Sequence, residues 1–173
     1  MKKGSGLSES LEDYLEVILD LEKTSKVARG KDIAERLDIK RGSVTGALKI
    51  LEEKGLVNYA PYSYITLTPK GRKIAREITR RHVALRNFLY KVLQVDAETA
   101  NATACRMEHV IDEKTMERLM CFFDYIYTCP RTGPDWLENF IKHCSAKRFD
   151  REACDQCLSG CLAQHRKKTV DQE

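Results

Sequence analysis

The chain has 173 residues, of which 42% are hydrophobic and 32% charged, with a formal net charge of +4. That is the balance of a globular protein of one domain or two small ones, and no apolar run is long enough to span a membrane. The N-terminus also lacks an apolar leader-like stretch, so a cytoplasmic protein is expected. There, seven cysteines point to metal or redox chemistry more than to structural disulfides.

The first element is an amphipathic helix over Leu7–Glu22, in which Leu11, Tyr14, Leu15, Ile18 and Leu21 recur at helical spacing. Lys31–Leu37 reads as a short second helix anchored by Ile33, Ala34 and Leu37, and Asp38-Ile39-Lys40 as a turn. A third helix runs from about Arg41 to Lys54 with Val44, Ala47, Leu48 and Leu51 inward, and Gly55 stops it. Leu56–Tyr59 and Tyr64–Leu67 form a hairpin around Ala60-Pro61-Tyr62-Ser63. Thr68 caps the next helix with Pro69 at its first position, and that helix reaches about Leu93. A fifth helix covers about Ala97–Ile111. A sixth covers about Glu113–Tyr127, with Met116, Leu119, Met120, Phe123 and Tyr127 as its apolar stripe and Cys121 as a packing residue. After the Cys129–Pro134 loop, Trp136–Cys144 gives one more short helix, and the remainder is polar with interspersed cysteines.

Helix, short helix, turn, helix, hairpin is the order of a winged helix-turn-helix. The fold class is therefore mainly α: a winged helix-turn-helix over 1–71, a helical domain over 72–142, and a Cys-rich segment over 143–173. Charge supports a polyanion partner. From Lys23 to Lys54 there are nine Lys/Arg against five Asp/Glu, and from Lys70 to Arg86 seven against one. Solvated helix faces would give similar counts. The recognition helix would enter the major groove of double-stranded operator DNA by its N-terminal end. Ser43, Thr45, Gly42 and Gly46 allow close approach there. Arg41 and Lys49 are in reach of phosphate or guanine, and Lys40, Lys31 and Tyr62 are further phosphate candidates. A palindromic operator calls for a homodimer.

Cys105-Arg106-Met107-Glu108-His109 places a thiol, a carboxyl and an imidazole at i, i+3 and i+4, on one helix face. Sulfur, oxygen and nitrogen together suit a first-row transition metal. Asp13 and Glu16 also share a helix face, and His82 lies mid-way along a helix that could cross it. Each residue singly has a plainer reading: surface carboxylates, a polar helix histidine, a small apolar cysteine, a core histidine.

The chain resembles the diphtheria-toxin-repressor family of iron- and manganese-dependent transcriptional repressors over about residues 7–127. The resemblance rests on Leu11-Glu12-Asp13-Tyr14-Leu15-Glu16-Val17-Ile18, Asp32-Ile33-Ala34-Glu35-Arg36-Leu37, Ser43-Val44-Thr45, Leu67-Thr68-Pro69-Lys70-Gly71, Arg81-His82 and Ala104-Cys105-Arg106-Met107-Glu108-His109-Val110. It implies Asp13, Glu16, His82, Cys105, Glu108 and His109 as ligands of Fe(II) or Mn(II). It also implies a metal-binding and dimerisation domain over 72–142 and an activated repressor of metal-homeostasis genes; no nucleophile–base pair or substrate motif stands out, so an enzyme is not expected. Asp13 follows the manganese type and Cys105 the iron type. At the family's ancillary-site positions stand Asn101 and Arg86, and an arginine does not ligate a cation. Mixed S/N/O donors fit Fe(II) somewhat better than Mn(II), and Zn(II), Co(II) and Ni(II) should bind in vitro.

The tail lies outside the resemblance. Cys154, Cys157 and Cys161 form C-x2-C-x3-C, and Cys144 supplies a fourth thiol, with Cys129, His143 and His165 as other donors. Such spacing suits Zn(II) or an iron–sulfur cluster, or alternatively redox-active thiols. Two competing functions follow: a winged-helix regulator that senses through the tail cysteines, and a metal-storage or delivery module whose winged helix contacts protein.

Overall fold

The computed structural model describes residues 6–60, 63–128 and 134–146, with the pairs 151–152, 155–156 and 159–160. The elements are α1 (Glu9–Ser25), α2 (Gly30–Arg36), α3 (Arg41–Glu53), β1 (Val57–Asn58), β2 (Thr66–Leu67), α4 (Pro69–Asn87), α5 (Ala97–Glu108), α6 (Glu113–Thr128) and α7 (Pro134–Ala146).

The first core is built by α1 to α3 and the hairpin. Leu15 and Ile18 of α1, Ile33 of α2, Val44, Leu48 and Leu51 of α3, and Leu56 and Ile65 beside the strands are all buried. Asp38, at φ 51°, makes the left-handed turn between α2 and α3. The wing pairs antiparallel as Val57↔Leu67 and Asn58↔Thr66, and an extra bridge joins Ala28 to Ile65. The strands are shorter than the hydrophobic runs suggest, because Tyr59 and Tyr64 lie beyond the last paired residues.

Helix α4 starts where expected. The Thr68 hydroxyl accepts from the Gly71 amide at 3.1 Å and donates to the Gly55 carbonyl at 2.8 Å, with Pro69 in the first turn. Gly71 is required here: a Cβ on it would stand 1.9 Å from the Leu56 carbonyl oxygen. Close approach lets α4 leave directly from the wing and run between two cores. Ala75 belongs to the first, and Ala84 and Leu85 to a second completed by Leu89, Ala100, Ala104 and Met116. Glu22 ties the first helix to this junction. One of its oxygens accepts from the Leu67 amide at 3.0 Å, and the other pairs with Arg72 at 2.8 Å.

Two helix ends and one helix face differ from the sequence reading. The long helix is α-helical only to Asn87, widens into a π-helical turn over Phe88–Val92, and is ended by Gln94 at φ 55°. Helix α5 stops at Glu108 rather than Ile111: the Val110 and Ile111 amides both turn onto the Met107 carbonyl, and Asp112 then caps α6 by accepting from the Thr115 amide at 3.0 Å. On α6, Met116 is buried, Leu119 and Met120 pack on the second core and Phe123 stands edge-to-face on Phe88 at 4.8 Å, as the stripe requires, but Tyr127 and Cys121 face outward while Ile126 is buried.

Candidate metal centre and DNA face

Helices α1, α4 and α5 converge beside the second core, and each brings polar side chains to the meeting point. Asp13 and Glu16 come from successive turns of α1, His82 from the middle of α4, and Cys105 and Glu108 from the last turns of α5, where His109 is the C-cap. They form two donor groups. Asp13, Cys105, Glu108 and His109 make one, and Glu16, His82 and Glu108 the other. Within each group the donor atoms lie within 4.8 Å of one another. Glu108 belongs to both.

Glu108 is the unusual residue. It is 1% exposed, the only charged side chain in the buried set among the described residues. One carboxylate oxygen stands 2.7 Å from His82 Nδ1. The other is buried with no hydrogen-bond partner, as is Nε2 of His109, 3.5 Å away. His109 Nε2 also lies 3.0 Å from Asp13 Oδ1, but without hydrogen-bond geometry. Orphaned buried polar atoms cost roughly 1–3 kcal/mol each, and a protein tolerates them where something else satisfies them. A divalent cation between Glu108 Oε1, His109 Nε2, Asp13 and Cys105 would do so, and the donor chemistry suits one.

Protonation in the metal-free site follows from this crowding. His82 is raised above the ordinary imidazole value by its hydrogen bond to Glu108, against the effect of burial. For His109, burial is the largest influence and pulls downward. The Glu12 hydrogen bond and the charges of Asp13, Glu108 and Glu12 together outweigh it and raise the ring. Burial raises Asp13 against the pull of His109, and raises Glu16 with help from the Glu108 charge. The Cys105 thiol is pushed up to about 11 by burial and by the neighbouring carboxylates.

Two residues at the site were not among the expected ligands: Glu12 was given no role, and Asn101 was noted only as standing at an ancillary-site position. Glu12 Oε2 is 2.7 Å from His109 Nδ1, and Asn101 Oδ1 is 3.1 Å from His82 Nε2. Both were detectable only by position: Glu12 is one turn before Glu16, and Asn101 one turn before Cys105.

Residues 6–65 match the family described as "Iron dependent repressor, N-terminal DNA binding domain", and residues 68–137 match "Iron dependent repressor, metal binding and dimerisation domain". The chain belongs to the iron-dependent repressor family. An HTH-type transcriptional regulator of Methanocaldococcus jannaschii is 38% identical over 119 residues, 68% of this chain and 95% of that protein. The transcriptional regulator MntR of Escherichia coli is 38% identical over 114 residues, 66% of this chain and 73% of the relative. Among solved structures, a manganese-dependent transcriptional repressor in complex with manganese superposes with a TM-score of 0.62 at 28% identity, over 66% of this chain and 53% of that one. The manganese regulator SloR gives 0.61 at 30%, over 70% and 56%. This repressor chain thus spans little more than half the length of those two structures.

The repressor's third helix has the two-sided character of a reading helix. Val44, Leu48 and Leu51 are buried, while Arg41, Ser43, Thr45 and Lys49 are exposed. Lys40 caps its start, and Lys31 is exposed on α2. Arg29, Lys31, Arg41, Thr45, Lys49 and Tyr64 line one concavity between α2, α3 and the wing. Arg29 and Tyr64 were not among the DNA candidates of the sequence reading. Their guanidinium and ring stack 5.2 Å apart, and Arg29 Nη2 donates to Tyr64 Oη at 3.3 Å, so the wing holds the arginine on this face. Cys144 is exposed near the end of α7. The tail cysteines Cys154, Cys157 and Cys161 lie outside the described residues.

Proposed function

We propose that the chain is a homodimeric repressor that binds double-stranded operator DNA when Fe(II) or Mn(II) occupies the centre between α1, α4 and α5. The observation that carries this is Glu108: a buried carboxylate with one orphaned oxygen, shared by two donor groups on three helices. Asp13, Cys105, Glu108 and His109 would hold one ion, and Glu16, His82 and Glu108 a second. Within the centre a divalent cation supplies positive charge where three helices present oxygen, nitrogen and sulfur donors.

Regulation follows from where the ligands sit. Asp13 and Glu16 are on α1, which belongs to the winged-helix core, whereas His82, Cys105, Glu108 and His109 belong to the helices of the second core. Joining them fixes the winged helix to the remainder and so sets the separation of two recognition helices in the dimer. Metal and DNA then raise each other's affinity by the same factor. Arg41, Ser43, Thr45 and Lys49 would read or grip DNA, with Lys31 and Lys40 on phosphates. The working division is a DNA-binding unit over 1–71, a metal and dimer unit over 72–142, and a Cys-rich segment over 143–173. The relatives named for manganese and the Asp13–Cys105 pairing leave Fe(II) and Mn(II) as the two ions to compare. The test is anaerobic gel-shift titration, with each metal, of the DNA upstream of its own gene. Shifted complex only with metal supports the reading, and equal shift in chelator refutes it.

For the tail we propose a separate thiolate site for Zn(II), from the C-x2-C-x3-C spacing of Cys154, Cys157 and Cys161 with Cys144. Elemental analysis of the wild type against Cys154→Ser/Cys157→Ser tests it: loss of zinc supports the site, and unchanged zinc refutes it.

A further inference from the structure

The two histidines at the centre are each gripped from behind by an oxygen, and the grips are of opposite sense. His109 turns Nδ1 to the Glu12 carboxylate at 2.7 Å and leaves Nε2 toward Asp13 and Glu108. His82 turns Nε2 to the Asn101 amide oxygen at 3.1 Å and leaves Nδ1 toward Glu108. Glu12 stands outside both donor groups, and Asn101 meets His82 on the ring nitrogen opposite Glu108.

We infer that Glu12 and Asn101 are positioning residues that fix the two imidazoles in opposite tautomers and make the two ion positions unequal. The inference rests on the proposed metal centre. A ligating imidazole gives a lone pair from one nitrogen, so the other carries the proton and must donate it to something. With Glu12 accepting at Nδ1, His109 offers Nε2. With Asn101 accepting at Nε2, His82 offers Nδ1. An anionic acceptor pulls harder on the ring proton than a neutral amide and makes the opposite nitrogen the stronger donor. His109 is therefore the more basic ligand, and the Asp13–Cys105–Glu108–His109 position is the tighter of the two. The packing agrees: the His109 side chain is 5% exposed with Glu12 at 12%, whereas His82 is 18% exposed and Asn101 is on the surface. Glu12 also sits beside Asp13 on α1, so the same turn that brings a ligand to α5 brings the group that orients its neighbour.

The experiment uses the full chain, with Glu12→Ala, Glu12→Gln, Asn101→Ala and Asn101→Asp. Ring-nitrogen chemical shifts in 15N-histidine-labelled protein, metal-free at alkaline pH and then loaded with Zn(II), read the tautomers, and Mn(II) titration reads affinity. In the Zn(II)-loaded wild type, His109 should carry its proton on Nδ1 and His82 on Nε2; in the metal-free protein the Glu108 carboxylate, 2.7 Å from His82 Nδ1, should hold the His82 proton there instead. Glu12→Ala should mix the His109 tautomers and weaken Mn(II) uptake about 10- to 100-fold. Glu12→Gln, which keeps an acceptor oxygen, should restore the tautomer and part of the affinity. Asn101→Asp should tighten the weaker Mn(II) step, and Asn101→Ala should loosen it. Unchanged tautomers and affinity in both alanine variants would overturn the inference while leaving the metal centre standing. Absence of Mn(II) and Zn(II) uptake by the wild-type chain would overturn both.

Discussion

Because Glu108 is shared, its loss should remove two ions where loss of another ligand removes one. Glu108→Gln keeps the length and shape of the side chain and deletes the charge that both donor groups use. At metal concentrations one hundred times the dissociation constant, a bound ion stabilises the fold by about 2.7 kcal/mol. Two independent ions would give about 5 kcal/mol by the same relation. For a chain of this length, each kcal/mol moves the melting temperature by about 2–4 °C. Wild-type protein in excess Mn(II) should therefore melt about 10–20 °C above the metal-free protein. Glu16→Gln, which removes the weaker position, should retain at least half of that increment, and Glu108→Gln almost none. Thermal denaturation at fixed protein concentration, run with metal content by equilibrium dialysis, gives both numbers. A Glu108→Gln protein that loses no more of the increment than Glu16→Gln would refute the shared-carboxylate geometry.

Metal affinity should rise with pH. His82 and His109 are raised and the Cys105 thiol stands at about 11 in the metal-free site. Ions must therefore displace protons, and each proton displaced steepens the rise by up to about one decade per pH unit; calorimetry in buffers of different ionisation enthalpy counts them, and zero release would contradict the donor set. Gly71→Ala should destabilise the chain by about 1–3 kcal/mol, since the new Cβ would meet the Leu56 carbonyl at 1.9 Å; an unchanged denaturation midpoint would show that the wing–α4 junction yields freely. Arg29→Ala and Lys49→Ala should each weaken DNA binding for all sequences and lower the salt dependence by about one counterion; a change in sequence preference with an unchanged salt slope would assign these residues to bases instead.

The helices were readable because their apolar residues recur at 3.6-residue spacing, and the start of α4 because Thr68 and Pro69 have few other uses at that spot. The Cys105–Glu108–His109 grouping was readable because all three fall on a single helix end. Glu12 was not. Glu12, Asp13 and Glu16 lie within about one turn of α1, and which of them faces His109 is decided by how α1 crosses α5, a tertiary fact. Asn101 was placed by the resemblance at an ancillary-site position, but its contact with His82 was not readable: an exposed amide on α5 carries no charge or burial signal until His82 of α4 is set against it. Arg29 depends on Tyr64, 35 residues away. Tyr127 continues the apolar stripe of α6 by spacing, yet it is exposed and Ile126 is buried instead; Ile126 belongs to neither of the two cores, so spacing along α6 alone did not mark it.

The most direct test of the central account is reciprocal linkage, measured anaerobically on one DNA fragment from upstream of the gene. The dissociation constant for DNA is measured in saturating Mn(II) or Fe(II) and in chelator, and the metal constant with and without DNA. The account predicts that the two ratios agree, amount to at least about fivefold, and collapse to unity in His109→Ala. Equal DNA affinity with and without metal in the wild-type chain would contradict it.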